Sequence, residues 1–348
     1  MAAVAPLPAS SIRRQTSAQQ AARATSCDDS FLAADIGGTY ARIALMARAG
    51  GQPPRLLAYR VYACADHPHL ADIVQSFCTE LAVQPRALVL ACAGYVHAGT
   101  VISKNLVWPV LLQPLKERLQ LQHVRFLNDF QALAYAVGCG AAVDAVPLKL
   151  PSARSAQVGP VVVIGSGTGL GAAVWLPGQG IRVIATEAGH MQLAVRLGRE
   201  QQVVAQLAQP DAHIPYDTVL SGPGLHRIYT ALCAIRDRYP ALQEQSAVTA
   251  AALDGRDGIA HEALTLFCGW LGSFAADLCM VYGATGGVYL AGDFIFQMVE
   301  FLHRSPLLQR FLDKGVMHPF LQDLPIRVMG HSDHGIMGAA CWHVDVPK

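Results

Sequence analysis

The sequence predicts an α/β protein of two similarly built halves with a cleft between them. Three β-rich runs separated by glycine turns open near residue 31, and the same arrangement returns near residue 161. Helical patterns and buried strands follow each set. The 348 residues suffice for two ordinary domains, and with 52% apolar and 15% charged residues a sizeable core is easily filled.

In the first half FLAADIGGT and YARIALM read as strands, a break falls at Ala49-Gly50-Gly51, and RLLAYRVYA is the third strand. A helix is predicted from Leu70 to Leu81. RALVLACAG is a buried strand, and VRFLND another that runs directly into the helix FQALAYAV. In the second half VVVIGSGT, GAAVWL and IRVIATEAG are strands turned at residues 165–171 and at Pro177-Gly178. SGPGLHRIYTALCAI is a helix with Ser221 as cap and Pro223 in its first turn, its stripe formed by Leu225, Ile228, Tyr229, Leu232 and Cys233. A long helix Ala260–Tyr282, the strand GGVYLAG, a helix from near Asp293, the strand PIRVMG and a helix from near His334 complete the chain. No short-period repeat is present.

Bulk properties narrow the function. The net charge is +1 and no basic stripe is visible, which argues against nucleic acid and for a small neutral or anionic ligand. Nine cysteines without a CxxC or CxC pair offer no structural zinc site and read as reduced thiols of a cytosolic protein. The stretch Phe267 to Tyr282 is the most membrane-like, but Asp277 interrupts it and a core helix explains it better, so no membrane association is expected. Residues 1–30 are rich in Ala, Ser and Gln, with Arg13, Arg14 and Arg23 and no acid before Asp28. That composition overlaps an organellar transit peptide, though a disordered tail is the expectation. A twin-arginine signal is excluded because no apolar run follows Arg13-Arg14.

Two glycine-rich turns carry the main chemical signal: Asp35-Ile36-Gly37-Gly38-Thr39 and the segment Gly165–Gly171, GSGTGLG. Glycines let backbone amides approach an oxyanion, and a neighbouring hydroxyl adds a donor. Asp35 beside such a loop suits a magnesium ion between carboxylate and phosphate. No GxxxxGK[ST] occurs, which excludes a Walker loop. Gly167 to Ala172 fits a dinucleotide-binding pattern with Glu187 twenty residues on, but strand, turn and strand follow where that pattern needs a helix. Both loops as mere tight hairpins is the other open reading.

DIGGT followed by AR, LND at a strand end, GSGTGLG, EAGH, LSGPG and GGVYLAG, in this order, make the chain resemble the bacterial glucokinases over roughly residues 31 to 345. The regulator-type sugar kinases fit less well, since their cysteine-rich zinc motif and helix-turn-helix extension are missing. The resemblance implies two actin-like (ribonuclease H-like) domains with a cleft between them. A small domain of residues 31–138 plus 331–348 and a large domain of 139–330 would follow the tail. It further implies phosphorylation of an aldohexose, glucose foremost, to the 6-phosphate by ATP with Mg2+, in the cytoplasm, and a homodimer. Asp129 matches the general base. Asn128, Glu187 and His190 match positions that bond sugar hydroxyls, Asp217 stands where a glutamate does the same, and Asn105 with Trp108 lines the cleft. Asp35, Gly37, Gly38, Thr39, Gly167, Thr168, Gly169 and Gly292 match the nucleotide site, with Asp35 holding Mg2+ through water.

From the residues alone, Asp129 is equally an N-cap contributing roughly 1 kcal/mol. Glu187 to His190 is equally a turn with a solvated acid, and Trp108 equally core. The chain also departs from the family pattern. Tyr40 replaces an asparagine, Tyr95 a proline, Lys104 a threonine and Ala188 a glycine; Asp217 is one methylene short, and Asp293 replaces a second glycine beside the nucleotide. These departures keep two rivals open: a non-catalytic sugar-binding or regulatory protein with a weakened nucleotide site, and a kinase for another hexose.

Overall fold

The structure, a computed structural model, describes residues 30–49, 52–103, 106–151, 158–178, 182–209, 211–330 and 333–345. Residues 1–29 of the expected tail, Lys104 and Asn105 lie outside the described residues. By its internal contacts the chain forms two compact units, Met1–Leu90 with Gly94–Phe126 and Ala91–Ala93 with Leu127–Lys348.

The first unit is built on a meander. Strands β1 (Ser30–Ile36), β2 (Tyr40–Ala49) and β3 (Gln52–Ala63) pair antiparallel in turn. With β4 (Ala87–Cys92) and β8 (His123–Asn128) they make a five-stranded sheet in the order β3-β2-β1-β4-β8. Strand β4 is buried along its whole length, as its unbroken apolar run dictates for a strand covered on both faces. Helix α1 (Leu70–Leu81) turns Leu70, Ala71, Ile73, Val74 and Phe77 inward, the expected one-sided stripe. A small sheet of β5 (Tyr95–His97), β6 (Thr100–Ile102) and β7 (Val110–Leu111), then helix α2 (Leu112–Arg118), were not foreseen. Their strands are too short and exposed to leave a periodic signal.

The second unit carries a six-stranded sheet. Its strands are β9 (Val146–Lys149), β10 (Val161–Ser166), β11 (Leu170–Trp175), β12 (Val183–Thr186), β13 (Gly287–Ala291) and β14 (Ile326–Val328), in the order β12-β11-β10-β13-β14-β9. Successive side chains of β10 divide between two helix layers, as a period of two requires. Val162 and Ile164 join the larger core cluster, whereas Val163 joins a smaller one with Ala134, Tyr135, Ala173 and Ala291.

On the smaller cluster lie α3 (Asp129–Gly138) and, after the intervening helices, the C-terminal helix α12 (His334–Asp345). The other layer comprises α4 (Arg199–Leu207), α5 (Gly222–Ile235), α6 (Gln245–Leu253), α7 (Gly258–Tyr282) and the short α8 (Asp293–Gln297), α9 (Val299–Arg304), α10 (Leu307–Leu312) and α11 (His318–Gln322). Helix α3 packs on β10–β12 and on α12, and both helices group with the second unit.

Helix α7 is the membrane-like segment. It is long and apolar enough to cross a bilayer, yet 72% of its apolar window is buried, against α5, α6 and α10. Asp277 pairs there with Lys314 and accepts the Tyr216 hydroxyl at 3.1 Å. A core helix it is. Beside it, the buried Glu200 carboxylate meets Arg310, whose Nε also donates to Ser273 at 3.1 Å.

Candidate functional site

Most of the sequence motifs meet at one end of the second unit's sheet. Strand β10 ends at Ser166, a three-residue turn follows, and β11 begins at Leu170 directly opposite. The Gly167 amide donates to the Gly169 carbonyl at 2.9 Å and closes the turn, leaving Gly167 and Thr168 exposed. A strand, not a helix, follows, which disposes of the dinucleotide-fold pattern. The LSGPG segment is tied to this turn twice: Ser166 Oγ donates to the Leu220 carbonyl at 2.8 Å, and the Gly222 amide donates to the Gly167 carbonyl at 2.7 Å. Ser221 caps α5 by accepting the Gly224 amide, as its position before Gly222-Pro223 predicts.

Glycines within this cluster divide into two kinds. Gly165 and Gly171 face each other across the hairpin, and a β-carbon on either would stand 2.2 Å or 1.9 Å from the Phe130 ring. The ring of α3 therefore fills the gap that two opposed glycines leave, as aromatic side chains do over sheet glycines. Gly292 has φ +121° and its β-carbon would meet the Ser166 carbonyl at 2.3 Å, so packing alone demands glycine there. At Gly167 a β-carbon would meet nothing within 4 Å, and at Gly37 only the Tyr40 carbonyl at 3.4 Å. The fold does not need glycine at those two positions.

Asp129 stands at the start of α3, immediately after β8. The N-cap is Asn128, one residue earlier than the competing sequence reading placed it. Its side-chain oxygen accepts the Phe130 amide at 2.9 Å, while Gln131 Oε1 accepts the Asn128 amide at 3.0 Å, a reciprocal capping box. Asp129 is the first helical residue, its carboxylate 3.1 Å from the Phe130 amide. The helix start is thus held by its neighbours.

Glu187 and His190 flank the turn after β12, and both are exposed. The turn is pinned where Gly189 approaches Leu170 so closely that a β-carbon would lie 2.2 Å from its carbonyl. His213 adds a bond from Nε2 to the His190 carbonyl at 3.0 Å. On the other side of Leu170, its amide donates to Asp217 Oδ1 at 2.6 Å. The Asp217 carboxylate, matched to a sugar-contacting position, is therefore engaged on the glycine hairpin itself. Asp217→Ala is expected to strand the Leu170 N–H and lower the unfolding free energy by about 1–3 kcal/mol, read as a lower denaturant midpoint.

The first glycine turn belongs to the other unit. The Gly37 amide donates to the Tyr40 carbonyl at 3.0 Å, Cys64 donates from its amide to the Thr39 carbonyl at 2.9 Å, and Gly38, Thr39 and Tyr40 are exposed. Asp35 lies opposite Arg42 in the β1–β2 register, their charged groups 3.6 Å apart. Trp108 is buried and donates its indole N–H to the His67 carbonyl at 2.8 Å, which accounts for it as structure; Asn105 lies outside the described residues.

Phe130 and Leu170 were missed by sequence reasoning. Both are apolar, and their role is to join motifs rather than to react. The one available signal was the pair of glycines bracketing a three-residue turn, with an aromatic residue directly after Asp129.

Residues 32–346 match the family model described as Glucokinase. A glucokinase-like protein of Xylella fastidiosa (strain 9a5c) is 43% identical over 321 residues, spanning 91% of this chain and 95% of its own. A glucokinase of Saccharophagus degradans is 33% identical over 320 residues, spanning 90% and 97%. Among solved structures, a glucokinase from an Antarctic psychrotroph aligns with a TM-score of 0.79 at 30% identity, over 91% of this chain and 99% of its own.

Proposed function

Since the chain belongs to the glucokinase family and has the two-domain actin-like fold of its solved relatives, we propose that it transfers the terminal phosphoryl group of ATP to an aldohexose, glucose foremost, at the 6-hydroxyl. One observation supports this most: Asp129 begins a helix that Asn128 caps and that Phe130 seats on the glycine hairpin. A carboxylate placed there, with the cap supplied by Asn128, is positioned to work as a base. The same proposal includes a cytoplasmic location and a homodimer.

Asp129 accepts the proton of the attacking hydroxyl. Phosphoryl transfer asks for little covalent chemistry, so alignment and charge stabilisation dominate. Amides at Gly38 and Gly169, with the hydroxyls of Thr39 and Thr168, receive the phosphate oxygens at the two turns that the Gly37 and Gly167 amides close. Glu187, His190 and Asn128 orient the sugar hydroxyls, with Asn105 assigned to them by family position.

Among the described residues no three ligating side chains cluster to cage a metal. Magnesium carried on a triphosphate needs only one carboxylate beside the phosphates, and the partly exposed Asp35 suits that through water. When bound, Mg2+ neutralises charge on the phosphates.

The direct test is sugar-dependent ADP release across a panel of hexoses. Glucose should raise it above the sugar-free rate; ADP release indifferent to every sugar would sink the kinase assignment.

A second proposal is a paralogue whose nucleotide site is weakened. Asp217 held by the Leu170 amide, and the exposed Tyr40 and Asp293 beside the two turns, favour it. Tyr40→Asn with Asp293→Gly is expected to tighten ATP binding by about fivefold, the effect of relieving ~1 kcal/mol of repulsion. Unchanged affinity in calorimetry discards it.

A further inference from the structure

We propose that Cys139 and Cys341 form an oxidisable dithiol, closed to a disulfide by exchange with a low-molecular-weight disulfide of the glutathione type. Cys139 ends α3, its amide bonded to the Tyr135 carbonyl and its thiol 3.5 Å from the Ala136 carbonyl. Cys341 lies on the buried face of α12. These helices come into near backbone contact at Gly338, where a β-carbon would stand 1.7 Å from the Ala132 carbonyl oxygen and 3.0 Å from the Ala136 nitrogen. Three residues further along each helix, from Ala136 to Cys139 and from Gly338 to Cys341, the two thiols meet and hydrogen-bond.

The two sulfurs differ in reactivity. Cys139 is only half-buried, and the hydrogen bond from Cys341 holds its thiol below the ordinary range, against the opposing pull of burial. That same bond, and burial, push Cys341 up. Burial likewise pushes up Cys64, Cys78, Cys233, Cys268 and Cys279. Cys139 is the attacking thiolate for this reason.

In the first step the Cys139 thiolate attacks one sulfur of oxidised glutathione; a mixed disulfide forms and one glutathione thiolate leaves. Cys341 then loses its proton, attacks the Cys139 sulfur and displaces the second glutathione. Two protein thiols are oxidised, one small disulfide is reduced, and the two thiol protons end on the two glutathiones. The resulting bond staples the end of the Asp129 helix to the C-terminal helix.

The experiment incubates the full chain with oxidised glutathione and follows intact mass and peptide maps. The expected result is a transient glutathione adduct on Cys139, then loss of two hydrogens and a Cys139–Cys341 cross-linked peptide that dithiothreitol reverses. Cys341→Ser should stop at the adduct. A wild-type chain whose Cys139 adduct persists without a cross-link, or whose Cys139 and Cys341 stay free while other cysteines react, overturns the proposal. The mapping is read on the wild-type protein, so a poorly folding variant does not decide it.

Discussion

Asp129→Ala is expected to slow glucose phosphorylation by about 10²–10⁴-fold, the contribution of a positioned general base. Its effect on stability should be small. The carboxylate at the first helical position interacts favourably with the helix dipole, worth about 0.3–1 kcal/mol, but the cap proper belongs to Asn128 and Gln131. Asn128→Ala provides the complementary measurement. It removes the cap, at about 1 kcal/mol, and should lower the unfolding midpoint more than Asp129→Ala does. Denaturation curves of both variants, with single-turnover rates of Asp129→Ala, separate chemistry from folding. Sugar-dependent ADP release that survives Asp129→Ala means another group takes the proton. A collapse of the folded state in the same variant means that Asp129 is chiefly structural.

Much of the architecture was legible because the dominant elements obey a single period. The two meanders, helix Leu70–Leu81 and the Ser221-capped stripe of Leu225, Ile228, Tyr229, Leu232 and Cys233 all lie where the pattern puts them. The long helix starts at Gly258 rather than Ala260, because Asp257 caps it by accepting the Ile259 and Ala260 amides. Elements that escaped were short or masked by polar sequence. Helix α4, REQQVVAQL, turns only Glu200 and Val203 inward, and Glu200 is there because Arg310 meets it, a partner far along the chain that no local window contains.

The site shows the same division. Glycine turns and capping residues announce themselves in the sequence. Three-dimensional pairings such as Phe130 against Gly165 and Gly171, or Asp217 on the Leu170 amide, do not, since each joins segments that only folding brings together. Asp217 illustrates the limit best: family position suggests a sugar contact, and nothing in the local sequence announces that one of its carboxylate oxygens also accepts the Leu170 amide.

The two kinds of glycine in the second hairpin should respond to alanine in opposite ways. At Gly171 the new methyl group would stand 1.9 Å from the Phe130 ring, which a second glycine, Gly165, also touches closely. The ring has no slack on that side, so α3 must shift, and Asp129 lies one residue from Phe130. Overpacking of this kind costs about 1–3 kcal/mol. A displacement of the base by about an ångström can lower turnover roughly 10²-fold. Gly171→Ala should therefore lose both stability and kcat, and Phe130→Leu in the same chain should restore part of each by freeing the space.

Gly167→Ala meets nothing within 4 Å, and Gly167 has no left-handed φ to oppose a side chain. It should fold and melt like the parent. If this turn faces a polyphosphate, the methyl group stands where the ligand approaches, and KM for ATP should rise about tenfold, the effect of ~1.4 kcal/mol, with little change in kcat. Steady-state kinetics with ATP varied at saturating glucose, alongside thermal melts, reads both variants. An unchanged KM for ATP in Gly167→Ala would make the second hairpin a tight turn and nothing more, because an open position that tolerates a side chain without any cost to nucleotide is not in contact with one.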